Sequence, residues 1–341
     1  MKKILVTGGA GYIGSHTIIE MLENSDWEPI SADNYSNSSA ITFDRIKEIT
    51  GKSVINYVVD LCDIKATKEI FGKNNDISGI IHFAAYKSVP ESVENPLMYY
   101  HNNIESLINI LNCAKEFKVP HVIFSSSCSV YGNIENLPVS ENTPIGKAVS
   151  PYGFSKQIGE EILKDFTKVV KSVKTVALRY FNPVGAHRSG KIGEVPVQRP
   201  NNLVPMITQT AVGKQKEVII FGNDYKTRDG TCIRDYVHVC DIASAHIKAL
   251  KYLDDNKSAP DFSVLNLGTG NGVSVMEMVK TFEMVSGMKL NYRIGPKRPG
   301  DVSAIYSDMS LVKKTLGWTP TYNLDEMMLS AWKWEQNLLK V

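Results

Sequence analysis

The run Val6-Thr7-Gly8-Gly9-Ala10-Gly11-Tyr12-Ile13-Gly14-Ser15-His16 constrains this chain more than any other stretch. It directly follows Ile4-Leu5-Val6, so a buried strand passes straight into a glycine-rich turn. From Ser15 to Glu23 the apolar residues Ile18, Ile19, Met21 and Leu22 fall at helical spacing, and the segment reads as strand, tight turn, helix. Such a turn sets bare backbone and a helix amino terminus against a pyrophosphate, while Gly14 lets helix and strand pack closely. Asp33 closes the next apolar stretch, Pro29-Ile30-Ser31-Ala32, where a carboxylate accepts hydrogen bonds from a ribose diol. A carboxylate there also repels a 2′-phosphate, and the nearest basic residue downstream is Arg45. The pattern points to NAD rather than NADP. The competing reading is a glycine turn that serves packing alone.

At 341 residues the chain is too long for one small core and long enough for two lobes that share a site. With 43% hydrophobic residues, 22% charged and a net charge of +2, it shows neither the signature of disorder nor a nucleic-acid surface. A small-molecule partner is expected. Cys62, Cys113, Cys128, Cys232 and Cys240 lack CxxC spacing, which suits reduced thiols in the cytoplasm. The opening MKKILVTGG is too short in apolar residues for a secretory signal, and no run approaches a membrane span. The seven histidines include no HExxH pair, and no Cys/His group has zinc spacing, so no metal is expected.

After a polar loop from Asn34 to Ser39, a helix is expected to about Thr50, then a strand over Val54-Ile55-Asn56-Tyr57-Val58-Val59 ended by Asp60. A helix from Ile64 to Lys73, a strand over residues 79–83 breaking at Ala84-Ala85, and a long helical stretch follow. That stretch carries Tyr99, Asn103, Leu107, Ile110, Leu111 and Ala114 on one side. A strand over residues 121–124 then enters Ser125-Ser126-Ser127, with Ser127 just past its end. Alternating strand and helix predicts an α/β fold, a Rossmann-type doubly wound parallel sheet, with ligands beyond the carboxyl ends of the strands. From Phe181 the rhythm fails among prolines and glycines, which marks a smaller mixed α/β lobe. Residues 1–180 plus about 236–269 are assigned to NAD binding, and 181–235 plus about 270–341 to the substrate lobe.

The sharpest chemical signal is Ser150-Pro151-Tyr152-Gly153-Phe154-Ser155-Lys156, since a tyrosine and a lysine four apart on a helix share one face. An isolated phenol is a poor base at neutral pH, but a nearby ammonium, with the positive nicotinamide, stabilises phenolate. Tyr152 can then exchange protons with a sugar hydroxyl. A serine of the 125–127 triplet offers a hydroxyl to bridge phenol and substrate, and chemistry alone does not choose among the three. The pair also has a packing explanation, which its place in a dinucleotide-binding architecture disfavours.

The motifs TGGAGYIGSH, SSSCSVYG, SPYGFSK, RYFNPVGAH, FGNDY and RDYVHV resemble those of the UDP-glucose 4-epimerases, a branch of the extended short-chain dehydrogenase/reductase family. The resemblance covers nearly the whole chain, and RYFNPVGAH with NNLVP and RPGD are its more specific parts. It implies Tyr152 as catalytic base and acid, Ser127 as its hydrogen-bonding partner, and Lys156 as the residue that tunes the phenol and holds the nicotinamide ribose. It further implies Gly8, Gly11, Tyr12, Ile13 and Gly14 over the pyrophosphate. Asp33, Asn34 and Ser38 would hold the adenosine ribose, and Asp60 with Leu61 the adenine. Phe83, Ala84, Ala85, Lys87, Asn102 and Phe181 would line the rest of the cofactor channel.

On the substrate side the resemblance implies Asn182, Asn202 and Leu203 at the nucleotide sugar and Phe221 beside the uracil. Arg234 and Arg298 would meet the diphosphate and Asp301 the uridine ribose, and paired arginines suit a diphosphate. Two positions depart from the family pattern: Ser129 stands where threonine is frequent, and Ile305 where relatives carry a large tyrosine or a small residue. The latter position is read as the gate for an N-acetyl group. The implied activity is interconversion of UDP-galactose and UDP-glucose by transient C4 oxidation with tightly bound NAD, an isomerase of galactose metabolism. The alternative is a UDP-N-acetylglucosamine or dual-specificity 4-epimerase. A nucleotide-sugar 4,6-dehydratase needs an acidic pair near the catalytic serine, and Cys128-Ser129-Val130 supplies none. A homodimer is expected through helices near residues 98–115 and from Pro151.

Overall fold

The computed structural model describes residues 2–196, 200, 202–298 and 301–340. Strands β1 (Lys3–Thr7), β2 (Glu28–Ala32), β3 (Ile55–Tyr57), β4 (Ile77–His82), β5 (His121–Ser127) and β6 (Lys174–Tyr180) build a parallel sheet. After three short strands of a smaller lobe, β7 (Asn182–Val184), β8 (Val218–Phe221) and β9 (Ile233–His238), strand β10 (Phe262–Leu267) completes it. The seven lie in the order β10-β6-β5-β4-β1-β2-β3. The central strands are apolar on both faces. Ile4, Val6, Ile81, Ile123 and Val176 enter one core, and the alternate residues Leu5, Ile80, Val122 and Ala177 enter the other. Helices Tyr12–Asn24 and Val239–Asp255 cover the first face, and Ile64–Lys73, Ser106–Glu116 and Pro151–Val169 the second. The chain leaves β1 toward β2 and β3, then returns to β4 on the other side. The crevice between β1 and β4 is therefore the switch point at which a parallel sheet binds ligands.

Three expectations shift. The strand foreseen over residues 54–59 shrinks to Ile55–Tyr57, because it is an edge strand with only β2 beside it and Val58 faces solvent. The long helical stretch divides into Val89–Glu94, Pro96–Tyr100, a widened π-type turn over His101–Glu105, and Ser106–Glu116. Its buried face is nonetheless the one read from periodicity: Tyr99, Asn103, Leu107, Ile110, Leu111 and Ala114 are all buried. Ser125–Ser127 extend β5, so Ser127 is the last residue of the strand rather than the first beyond it.

In the smaller lobe β9 pairs with β7, β11 (Gly272–Ser274) and β13 (Ala304–Ile305), while β12 (Tyr292–Gly295) pairs with β8. Val204, Ile207, Tyr236, Met278, Phe282, Met328 and Trp332 form its core. Tyr236–His238 pair with β7, outside the seven-stranded sheet, but Val237 already enters the larger core, which helix Val239–Asp255 then continues. Helix Ser310–Leu316, grouped with the smaller lobe on sequence, sends Val312 into the larger core. Trp318 follows it there, its indole N–H donating to the Asp241 carbonyl at 3.0 Å. Among the described residues no helix is long and apolar enough to cross a membrane.

Candidate active site at the strand ends

The glycine turn is built to backbone contact. Gly8 has φ +69°, the left-handed region that favours glycine, and a Cβ there would lie 2.9 Å from the Ala84 nitrogen. A Cβ at Gly14 would lie 2.2 Å from the Gly8 carbonyl oxygen. Gly11 opens helix Tyr12–Asn24 with no side-chain cap, so the first N–H groups and the positive end of the helix dipole face the crevice. A cradle free of Cβ atoms at an uncapped helix start fits a dinucleotide pyrophosphate. The Asp33 carboxylate accepts from the Ala10 N–H at 2.9 Å, the Tyr35 N–H at 2.9 Å and the Ser38 hydroxyl at 2.8 Å. It therefore ties the turn to the end of β2 as well as standing where a ribose diol would sit.

The remaining cofactor-side residues line the same carboxyl ends. The Tyr12 hydroxyl donates to the Gly185 carbonyl at 2.5 Å, which joins the glycine turn to the smaller lobe. Ile13 packs on the larger core behind it. The Asn34 side chain accepts from the Ser36 N–H, and that of Asp60 from the Cys62 N–H. Leu61 buries its side chain in the core, and its carbonyl accepts from Asn109. Phe83 lies 4.7 Å from the His246 ring, and the Ala84 N–H donates to the Thr7 hydroxyl. Ala85 follows, half-buried. Asn102 sits in the widened turn, bonded to Asn103, whose own amide reaches the Tyr86 carbonyl and the Ser155 hydroxyl. Lys87 pairs with Glu194 at 2.9 Å, and Glu194 also accepts from Asn202 at 2.9 Å.

Tyr152 and Lys156 project from helix Pro151–Val169, which Ser150 caps by accepting from the Gly153 N–H. The Lys156 ammonium donates to the Ser125 carbonyl at 2.6 Å, 4.8 Å from the centre of the Phe124 ring and 6.0 Å from that of Tyr152. Ser127 is bonded to the Ser129 hydroxyl at 3.0 Å and faces Tyr152. The three serines differ in their partners: Ser125 offers its carbonyl to the lysine, Ser126 turns to Glu160, and Ser127 lies on the phenol side. The lowering of the phenol was expected from the lysine together with the positive nicotinamide; in the protein alone burial pushes Tyr152 up to about 12, with the Ser127 hydrogen bond opposing it. Burial likewise lowers Lys156 to about 7, with the Glu160 carboxylate opposing. Desolvation outweighs the partners in the protein alone.

On the opposite wall Arg234 directs one guanidinium nitrogen to the Ile233 and Val302 carbonyls and the other to Asp301, at 3.2 Å. The Arg298 guanidinium lies 3.9 Å from the centre of the Phe221 ring, a cation–π stack. Asn202 and Leu203 begin helix Leu203–Ala211, and Asn182 begins β7. Ile305, in register with Arg234 on β9, is buried with Phe181, Val130 and Tyr131. The predicted substrate residues therefore gather on two strips, 221 with 298 and 234 with 301–305. Asn201, Pro299 and Gly300, parts of the quoted motifs, lie outside the described residues.

Sequence reasoning missed four polar residues of this region. Glu160 and Arg179 form a buried bidentate pair, with Arg179 Nε and Nη2 donating at 2.9 and 2.6 Å. The signal for Glu160 was available, since it continues the face of Tyr152 and Lys156 by one more turn. Asp235 accepts from the Thr269 and Ser307 hydroxyls and from the N–H groups of Thr269, Gly270 and Ser307, which fixes the segments flanking Arg234 and Ile305. Glu194 carried no local signal, because its partner Lys87 is 107 residues away.

The family model described as GDP-mannose 4,6 dehydratase matches residues 5–330. A UDP-glucose 4-epimerase of Bacillus subtilis is 47% identical over 334 residues, covering 98% of this chain and 97% of that one. One of Drosophila melanogaster is 46% identical, covering 97% and 96%. The crystal structure of a UDP-glucose 4-epimerase from Stenotrophomonas maltophila with bound NAD and formylated UDP-arabinopyranose superposes with a TM-score of 0.96. It is 40% identical and covers 100% of this chain and 99% of that one. That of Bifidobacterium longum, in complex with NAD+ and UDP, gives 0.92 at 45% identity, covering 98% of each.

Proposed function

The chain belongs to the UDP-glucose 4-epimerases, and from that premise we propose that its own residues divide the interconversion of UDP-galactose and UDP-glucose as follows. The enzyme is an NAD-dependent isomerase, and its cofactor is NAD. The glycine turn, Asp33 and the channel from Phe83 to Asn102 would hold that cofactor. When bound, NAD supplies a reversible hydride acceptor and a positive charge beside the phenol. Tyr152 takes the proton of the hexose 4-hydroxyl as C4 gives up its hydride, and returns the proton to that same oxygen when C4 regains hydride on its other face. Ser127 bridges phenol and hydroxyl. Lys156, fixed by the Ser125 carbonyl, holds a cation within reach of the phenol. Arg234, Arg298, Phe221 and Asp301 grip the UDP end, while the hexose end meets few polar groups. A firmly held nucleotide and a loosely held sugar allow the oxidised ring to turn and present its other face.

The juxtaposition of Tyr152, Lys156 and Ser127 beside a pyrophosphate cradle carries this reading. Its test is incubation of the purified protein with UDP-galactose and no added NAD, with analysis of the hexose. UDP-glucose is expected, and accumulation of an oxidised sugar would overturn it.

We also place the protein in the cytoplasm, a reading supported by its five free cysteines. The proposed assembly is a homodimer. Helices Val89–Glu94, Pro96–Tyr100 and Pro151–Val169 lie side by side, with Tyr100 6.2 Å from Phe154, and they expose Val93, Leu97 and Phe154. Leu97 is 81% exposed, and a two-fold contact would bury this apolar face on both copies. Sedimentation at micromolar concentration should give a dimer that Leu97→Glu with Phe154→Glu dissociates. A parent that sediments as a monomer removes the proposal.

A further inference from the structure

Tyr152, Lys156 and Glu160 recur every fourth residue along helix Pro151–Val169, so one face of the helix presents all three to the end of β5. Strand and helix meet there in successive rungs. Lys156 donates to the Ser125 carbonyl, Ser126 donates to Glu160 at 2.5 Å, and Ser127 faces Tyr152. Arg179, the β6 residue in register with Ser126, closes the assembly from the far side with its two bonds to Glu160. Both side chains of this ion pair are almost wholly buried, at 3% and 4% exposure. An apolar pair of similar volume could hold helix to sheet without the desolvation of two charges, so the packing role alone does not call for this pair.

We propose that Glu160, itself held by Ser126 and Arg179, is a positioning residue of the active site whose carboxylate sets the charge of Lys156 in register with Ser125–Ser127. The proposal rests on the reading of Tyr152 and Lys156 as the reacting pair. Among the described residues, the groups around the Lys156 ammonium leave this role to one carboxylate. Its own helix offers Tyr152 and Glu160, β5 offers the Phe124 ring, and β4 offers His82, which burial keeps neutral. On β6, Arg179 stands behind Glu160 and is neutralised by it. Tyr180, the next residue of β6, is held as a phenol by burial and bonded to His246. Glu160 therefore counters the desolvation that favours a neutral amine at Lys156.

The test is direct titration of the lysine in the full-length protein labelled with ¹³C at lysine Cε, the Lys156 resonance being assigned by its loss in Lys156→Met. Glu160→Gln combined with Arg179→Met removes both members of the buried ion pair, so Lys156 is the charge left to report, and the amide oxygen introduced by Glu160→Gln still accepts from Ser126. The Lys156 midpoint should fall by about one pH unit, the scale of a lost charge partner. Arg179→Met alone leaves the carboxylate with Lys156 as its remaining cation, and the midpoint should rise. A role in packing alone moves neither midpoint, and two unchanged titrations would overturn the proposal. The kcat–pH profile for UDP-galactose should lose its alkaline limb at correspondingly lower pH in the double variant, with KM little altered. Because the titration needs no turnover, a parent that fails to convert UDP-galactose would sink the reaction assignment while leaving the role of Glu160 decided.

Discussion

Tyr152 sits where burial opposes its ionisation, and its ring and Lys156 are 6.0 Å apart, so the protein alone stores a phenol rather than a phenolate. Tyr152→Phe removes one hydroxyl without enlarging any cavity. We expect kcat to fall by roughly a hundredfold or more, about 2.7 kcal/mol of barrier, with UDP affinity little changed. Near-normal turnover in that variant would displace Tyr152 from proton transfer. At Ile305 the question is space. Its side chain packs on Phe181 beside Cys128, next to Ser127, and is smaller than tyrosine but larger than alanine. Ile305→Ala should raise turnover of N-acetylated UDP-hexoses relative to UDP-galactose by about 10- to 200-fold, the scale of one steric contact. Ile305→Tyr should do the reverse, and unchanged kcat/KM ratios in both would remove this residue as the gate.

The element that tolerates least change is the turn between β1 and its helix. Any side-chain carbon at Gly14 meets a backbone carbonyl rather than a movable side chain, so Gly14→Ala must displace the turn itself. The cost should be on the order of 2 kcal/mol in urea unfolding, and the protein should purify with markedly less NAD. Gly72, in helix Ile64–Lys73 with open space at its Cβ, is the control: Gly72→Ala should stabilise by about 0.5–1 kcal/mol and leave NAD content unchanged. Equal behaviour of the two variants would mean that the close approach at Gly14 is not what the turn depends on. Helix Pro151–Val169 is divided differently, since its exposed and buried faces serve separate ends: Phe154 outward, Lys156 and Glu160 inward.

For the whole molecule, burial of histidines sets a response to acid. Burial lowers His16 and His246 to about 4 and His82 and His238 to about 3. Unfolded histidines titrate near 6.5, so between about pH 6.5 and 4 the unfolded chain binds more protons than the native one. Stability should therefore be intact above about 6.5 and fall as pH drops through that window. Urea midpoints measured from about pH 7 to about pH 4.5 should decline. Replacing His82 by Gln should flatten the decline, and a parent with a flat profile would contradict burial of neutral rings. Two of these histidines stand where the lobes meet. His16 bonds the Tyr12 carbonyl, and His238 stacks on Tyr322 at 3.9 Å. Acid should thus weaken the same junction that Tyr12 and Gly185 hold.

What the sequence determined by itself was local. Strand, turn and helix at residues 3–24, Asp33 at the end of β2, and the Tyr152–Lys156 face were legible because period and spacing report directly on backbone geometry. The buried face of the helical stretch from Tyr99 to Ala114 was legible too, even though its backbone widens into a π-type turn between them. What the tertiary structure decided was everything set by partners distant in the chain. The separate partners of Ser125 and Ser126 depend on where helix Pro151–Val169 lies against β5. Whether Tyr152 is easily ionised depends on the low-dielectric pocket around it, where burial opposes what a nearby cation favours. The Glu160–Arg179 and Lys87–Glu194 pairs and the anchoring of Trp318 in the larger core join residues that no period relates. A carboxylate's meaning comes from the charges and dielectric around it, and those exist only once the chain has folded.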